Sequence, residues 1–173
     1  MIKNKTLLFL LVIIFLFVVS AILFSPARAT DSGTITATVT AQNISISVSI
    51  GGTTPSFNYG TLGVGTTQNT VNLSKTIRAS NDGNIAEKFN IEGANTTGCV
   101  WTLGSSAGTD QYKHEFSINS TFPGTALTAS YQQLAASVAA ASYQDFDLQI
   151  TVPSSSSCYT TATAVVTVQA TAP

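Results

Sequence analysis

Thr34-Ile35-Thr36-Ala37-Thr38-Val39-Thr40-Ala41, followed after Gln42-Asn43 by Ile44-Ser45-Ile46-Ser47-Val48-Ser49-Ile50, decides the fold class of this chain. In the first run Ile35, Ala37, Val39 and Ala41 alternate with threonine; in the second, isoleucine and valine alternate with serine. Successive side chains of a β-strand point to opposite faces, so each run reads as a half-buried strand. The phase slips at Gln42-Asn43, which marks a bulge, a bend or a strand passing between sheets. Gly51-Gly52 closes the second run.

The same period continues outward. Thr76 to Ala79 is a short strand before the turn signal Asn81-Asp82-Gly83-Asn84. Glu87, Phe89 and Ile91 then alternate with Lys88, Asn90 and Glu92; Cys99, Trp101 and Leu103 share a face; Tyr112, His114, Phe116 and Ile118 alternate with Lys113, Glu115 and Ser117. Phe146, Leu148, Ile150 and Val152 precede Pro153, and a closing strand falls between Cys158 and Ala170. Seven to nine short strands separated by turns predict an all-β fold, an antiparallel β-sandwich of immunoglobulin-like or jelly-roll-like type. One stretch departs from the pattern: Leu127, Tyr131, Leu134 and Val138 stand at helical spacing within Ala126 to Ala141, which predicts one short helix, with extended chain as the competing reading.

Ahead of the strands lies Lys3, Lys5 and an apolar run from Leu7 to Phe24, closed by Ala27-Arg28-Ala29. This is the layout of a secretory signal peptide cut after Ala29, so residues 1–29 are read as signal and 30–173 as a single domain. The run is long enough to span a bilayer, and an uncleaved anchor is the alternative. Residues 30–173 carry 18 Ser and 25 Thr, only four basic side chains (Lys75, Arg78, Lys88, Lys113) and all eight acidic ones, a net charge of −4. With no basic cluster to displace counterions from phosphates, nucleic acid is excluded as a partner, and a membrane enters only through an uncleaved first segment. The two cysteines, Cys99 and Cys158, predict one structural disulfide in an oxidising compartment, closing a loop worth roughly 4 kcal/mol.

Catalytic chemistry finds little support in these residues. A Ser-His-acid arrangement would need His114, the one histidine, which sits in a strand between Lys113 and Glu115, both read as exposed, and itself reads as a partly buried, hydrogen-bonded side chain. Asp145 and Asp147 share a strand face opposite Phe146 and Leu148, and read as solvated charges rather than a glycosidase pair. No cofactor is expected. Calcium at Asn81-Asp82-Gly83-Asn84 is the one metal option, although the turn lacks the spacing of a calcium loop. Aromatic side chains that could stack on a sugar are Trp101, Tyr59 and Tyr131. Glycosylation triplets occur at Asn43, Asn72, Asn95 and Asn119.

Phe57-Asn58-Tyr59-Gly60-Thr61-Leu62, then Ser80-Asn81-Asp82-Gly83-Asn84, then Trp101-Thr102-Leu103 resembles the order of landmarks in WxL-type secreted cell-surface domains. The chain differs in having no second Trp-x-Leu near its C-terminus. In architecture alone, a signal peptide and one β domain, it is similar to camelysin/TasA-type fibre subunits. These resemblances imply a secreted, β-rich protein held non-covalently at a cell surface.

The expectation is therefore an exported, non-enzymatic structural or adhesive protein, a self-assembling envelope or fibre subunit, secreted or associated with the cell surface. Its partners would be copies of itself, other surface proteins or cell-wall polysaccharide. The alternative is a cell-wall or carbohydrate-binding module. Assembly would use Ile35, Ala37, Val39 and Ala41 as a donor strand completing a neighbour's sheet.

Overall fold

A computed structural model describes residues 35–173 together with Leu11, Ile13 and Phe15. It divides into residues 1–39 and 40–173. In the first unit Leu11, Ile13 and Phe15 are helical, and Ile35 to Val39 has no regular secondary structure. The rest of the expected export signal, and its cleavage point, lie outside the described residues. Among the described residues no helix is long and apolar enough to cross a membrane.

The second unit is all β. Its twelve strands are β1 (Ile46–Ile50), β2 (Thr67–Asn69), β3 (Ile77–Asn81), β4 (Glu87–Gly93), β5 (Thr97–Gly98), β6 (Thr102–Gly104), β7 (Gln111–Ser117), β8 (Thr125–Ala126), β9 (Gln132–Val138), β10 (Tyr143–Thr151), β11 (Ala162–Thr163) and β12 (Val166–Thr171). The larger sheet runs β1-β3-β10-β7-β6, with β2 beside the end of β10 and β8 beside β7. A three-stranded sheet runs β12-β4-β9, and β5 and β11 form a two-stranded ribbon. Pairing is antiparallel except between β6 and β7, which run parallel.

The alternation read from the sequence is what fills the interior. Ile77 and Ala79 of β3, Phe116 of β7 and Phe146 and Leu148 of β10 face Phe89 and Ile91 of β4 and Leu134 and Val138 of β9, all buried in one cluster. Each such apolar side chain removed from water contributes about 1.5–3 kcal/mol. The fold is thus a β-sandwich-like arrangement around one core.

Three expectations are corrected. Ala126 to Ala141 holds no helix: β8 and β9 lie there, and β9 pairs with β4 through two register shifts, between Glu87 and Phe89 and between Phe89 and Asn90. From Ala135 to Val138 β9 advances three residues where β4 advances two. The extra residue breaks the two-residue period and leaves apolar side chains at spacings that imitate a helix.

The second correction concerns residues 34–41, of which 35–41 are described: they form no strand, and β1 begins only at Ile46. The reason is the partner. β1 pairs with β3 up to Ile46 and Asn81; two further rungs follow, Asp82 N donating to Ser45 O and Asn84 N to Asn43 O. Beyond Asn84 the partner chain turns into β4, so upstream residues have no ladder to join. The departure is pinned by side chains as well. Asn84 Oδ1 accepts from Asn43 N and its Nδ2 donates to Ala41 O, both at 2.8 Å, while Ser45 N donates to Glu87 Oε1. The phase slip at Gln42-Asn43 falls where the ladder ends.

Third, Asp147 and Glu115 are not solvated. Asp147 is 1% exposed and accepts hydrogen bonds from Thr70 Oγ1 at 2.8 Å and Ser120 Oγ at 2.6 Å. Glu115, also buried, pairs with Lys113 Nζ at 2.8 Å and accepts from Gln149. Both belong to the inner strands β7 and β10; Thr70 and Ser120, from loops, close over Asp147, and the side chains of Lys113 and Gln149 over Glu115. Asp145, two residues from Asp147, does face solvent and binds Arg78 through both carboxylate oxygens.

Candidate functional site

The two sheets differ in width. Five strands make the main path of the larger sheet and three make the smaller, and β12 is hydrogen-bonded only to β4 among the described residues. Beside β12 a groove of about 1310 Å³ opens, lined by Val48 of β1, by Val166 and Val168 of β12 and by the buried Ile77, Phe146, Leu148 and Ile150. Val48, Val166 and Val168 are only half-buried, although they pack against the core. No Asp, Glu, Lys or Arg is among the residues that line it.

Two segments border the groove, the coil at residues 55–62 and residues 158–165, which include β11. The second is held by the expected Cys99–Cys158 disulfide, which spans 59 residues. Around it, Cys99 N donates to Thr161 O, and Trp101 Nε1 donates to Ser156 Oγ at 3.0 Å. Asp110 accepts from Ser157 N at 2.7 Å and from the Ser157 and Ser156 hydroxyls, and these bonds hold its carboxyl below the usual carboxylate range. The serine run at 154–157 is therefore tied to the loop before β7. Next to Cys99, Gly98 has a φ of +81°, and a side chain there would meet the carbonyl oxygen of Thr161.

His114 lies at the inner end of the groove, 2% exposed. Its Nε2 is 2.9 Å from the Tyr59 hydroxyl, and its Nδ1 has no hydrogen-bond partner among the described residues. Burial pushes the imidazole down to about 4, so the ring is neutral at pH 7. Burial also raises the Tyr59 hydroxyl well above its ordinary value, with Tyr112 as a second cause, and pushes Tyr112 up to about 12. The pair carries no charge and has no acid beside it in the hydrogen-bond network.

Of the aromatic residues singled out from the sequence, Tyr59 and Trp101 both line the groove. Tyr59 is packed edge-on against Phe57, at 4.8 Å between centroids, and Trp101 is half-buried. Tyr131 lies outside the groove, just before β9, and is 42% exposed. At the turn read as a calcium option, the Asn81 amide bonds Gly83 N, Ile85 O and Val138 O, and that of Asn84 bonds residues 41 and 43. Among the described residues no three His, Cys, Asp or Glu side chains come together. The groove itself was missed from sequence, because its lining comes from segments far apart in the chain. Ile35 and Val39 of the expected donor strand are 93% and 96% exposed.

No protein-family model, curated protein or solved structure matches this chain.

Proposed function

We propose that this chain is an exported, non-catalytic structural or adhesive protein of a cell surface, a subunit that assembles with copies of itself. The observation that carries the reading is the segment Ile35–Ala41, an alternating apolar run without a strand partner among the described residues, next to an all-β unit. An apolar, uncharged, β-prone segment left in water is an unsatisfied strand, and main-chain pairing with another copy satisfies it. The disulfide and the serine- and threonine-rich, charge-poor composition suit a protein that works outside the cell.

The test is the solution mass of oxidised residues 30–173 by size exclusion with light scattering across a range of concentrations. Mass that rises with concentration, or filaments in the void volume, is the expected result, and removal of residues 30–41 should abolish it. A constant monomer mass would sink self-assembly and move the wall- or carbohydrate-binding reading, tested by retention on purified wall with Trp101→Ala as comparison, into first place.

A further inference from the structure

We infer that the groove beside β12 is the acceptor for residues 35–41 of a second copy, which lie along the free edge of β12 as a fourth strand of the smaller sheet. This rests on the proposed self-assembly and specifies its joint.

Four observations meet here. The first is the edge: β12 is hydrogen-bonded to β4 alone among the described residues, and the groove opens beside it. Strands in a sheet sit about 4.8 Å apart, so one added strand extends that sheet by one row. Length agrees as well. At about 3.3 Å per residue, residues 35–41 and the six residues of β12 each span roughly 20 Å. Third comes chemistry: neither the lining of the groove nor residues 34–41 contains a charged side chain. Ile35, Ala37, Val39 and Ala41 would face the half-buried Val48, Val166 and Val168, while the threonines face out. The last is size, since about 1310 Å³ exceeds the roughly 300–1,000 Å³ of a small-molecule site and suits a length of chain.

The occupant is a second copy because Ile35 and Val39 stand 93% and 96% exposed in their own. The chain is pinned at Ala41 and Asn43 by Asn84. Each copy then has one donor and one acceptor, a head-to-tail contact that links one copy to the next.

The experiment pairs two variants of oxidised residues 30–173. Val39→Asp places a charge on an exposed residue and spoils the donor; Val168→Asp spoils the acceptor. Each alone should remain monomeric. Mixed in equal amounts, they should form a two-subunit species and nothing larger, because the mixture contains one intact donor and one intact acceptor per pair. Benzoylphenylalanine at position 39 of an otherwise natural chain should cross-link, on irradiation, to peptides containing Val48 or residues 166–168 of another copy. That arm decides the matter if Val168→Asp fails to fold. If Val39→Asp assembles like the natural chain, both the strand-based assembly and this acceptor fall. Should Val39→Asp stay monomeric while folded Val168→Asp polymerises, or the cross-links map to another face, the assembly reading stands and the groove is overturned as its acceptor.

Discussion

The hydroxyl of Tyr59 and Nε2 of His114 meet at 2.9 Å across 55 residues of sequence, joining the coil segment that borders the groove to the middle of β7. The imidazole is neutral there. Its pKa falls from the ordinary 6.5 to about 4 through burial, so between those values the unfolded chain binds a proton that the folded chain does not. Stability therefore rises with pH across that window and is lost as pH falls from about 6.5 toward 4, by at most about 3 kcal/mol from this one group. Urea midpoints at pH 7 and pH 4.5 should fall less far apart in His114→Gln than in the natural chain. An equal difference in both would show that His114 does not carry the loss.

Asp145 and Asp147 differ by two positions and should differ sharply in cost. Asp147 is buried under two hydroxyl donors, and Thr70, one of those donors, also accepts from the Leu148 amide at 3.0 Å. Asp147→Ala leaves both hydroxyls without their acceptor and should lower stability by about 2–3 kcal/mol. Asp145 binds Arg78 in solvent, and Arg78 also lies over the Tyr143 ring, 3.4 Å from its centroid. Exposed pairs contribute little, so Asp145→Ala should leave the denaturation midpoint almost unmoved. Chemical denaturation of the two variants side by side gives the comparison.

Loss of the disulfide should cost about 4 kcal/mol, the chain-entropy value for a loop of 59 residues. The Cys99→Ser, Cys158→Ser double variant should melt well below the natural chain. Reductant added to the natural chain should bring its melting temperature close to that of the variant and should leave the variant unchanged.

Gly98→Ala should destabilise by at least about 1 kcal/mol. The positive φ disfavours any side chain, and this one would meet the Thr161 carbonyl across the β5–β11 pairing. A thermal melt unchanged from the natural chain would show that the ribbon shifts freely to admit a methyl group.

Where a strand has partners on both sides, its burial was legible from period alone. Phe89 and Ile91, Tyr112 and Phe116, and Phe146 and Leu148 are all buried as their alternation implies. Alternation assigns a face but says nothing of what lies over it. Asp147 and Glu115 therefore read as solvated, although Thr70 and Ser120 close over the first and Lys113 and Gln149 over the second. Nor does it supply a ladder partner: Ile35 to Ala41 alternates as cleanly as any stretch in the chain, yet the strand it would pair with turns away at Asn84. In β9 the bulges opposite Phe89 break the two-residue period and make a strand resemble a helix. The groove depends on pairings such as Val166 with Gly93, whose distance in sequence leaves no local trace.

The smaller sheet is centred on β4, whose flanking strands come from residues 132–138 and 166–171; Lys88 pairs with Thr171. Ile91 and Phe89 thus cannot gain β12 as a neighbour until the ribosome has made residues 168 and 170. Contacts of such long range form slowly, so a nascent chain of this design holds only the β4–β9 pair of its second sheet until residues 166–171 have emerged.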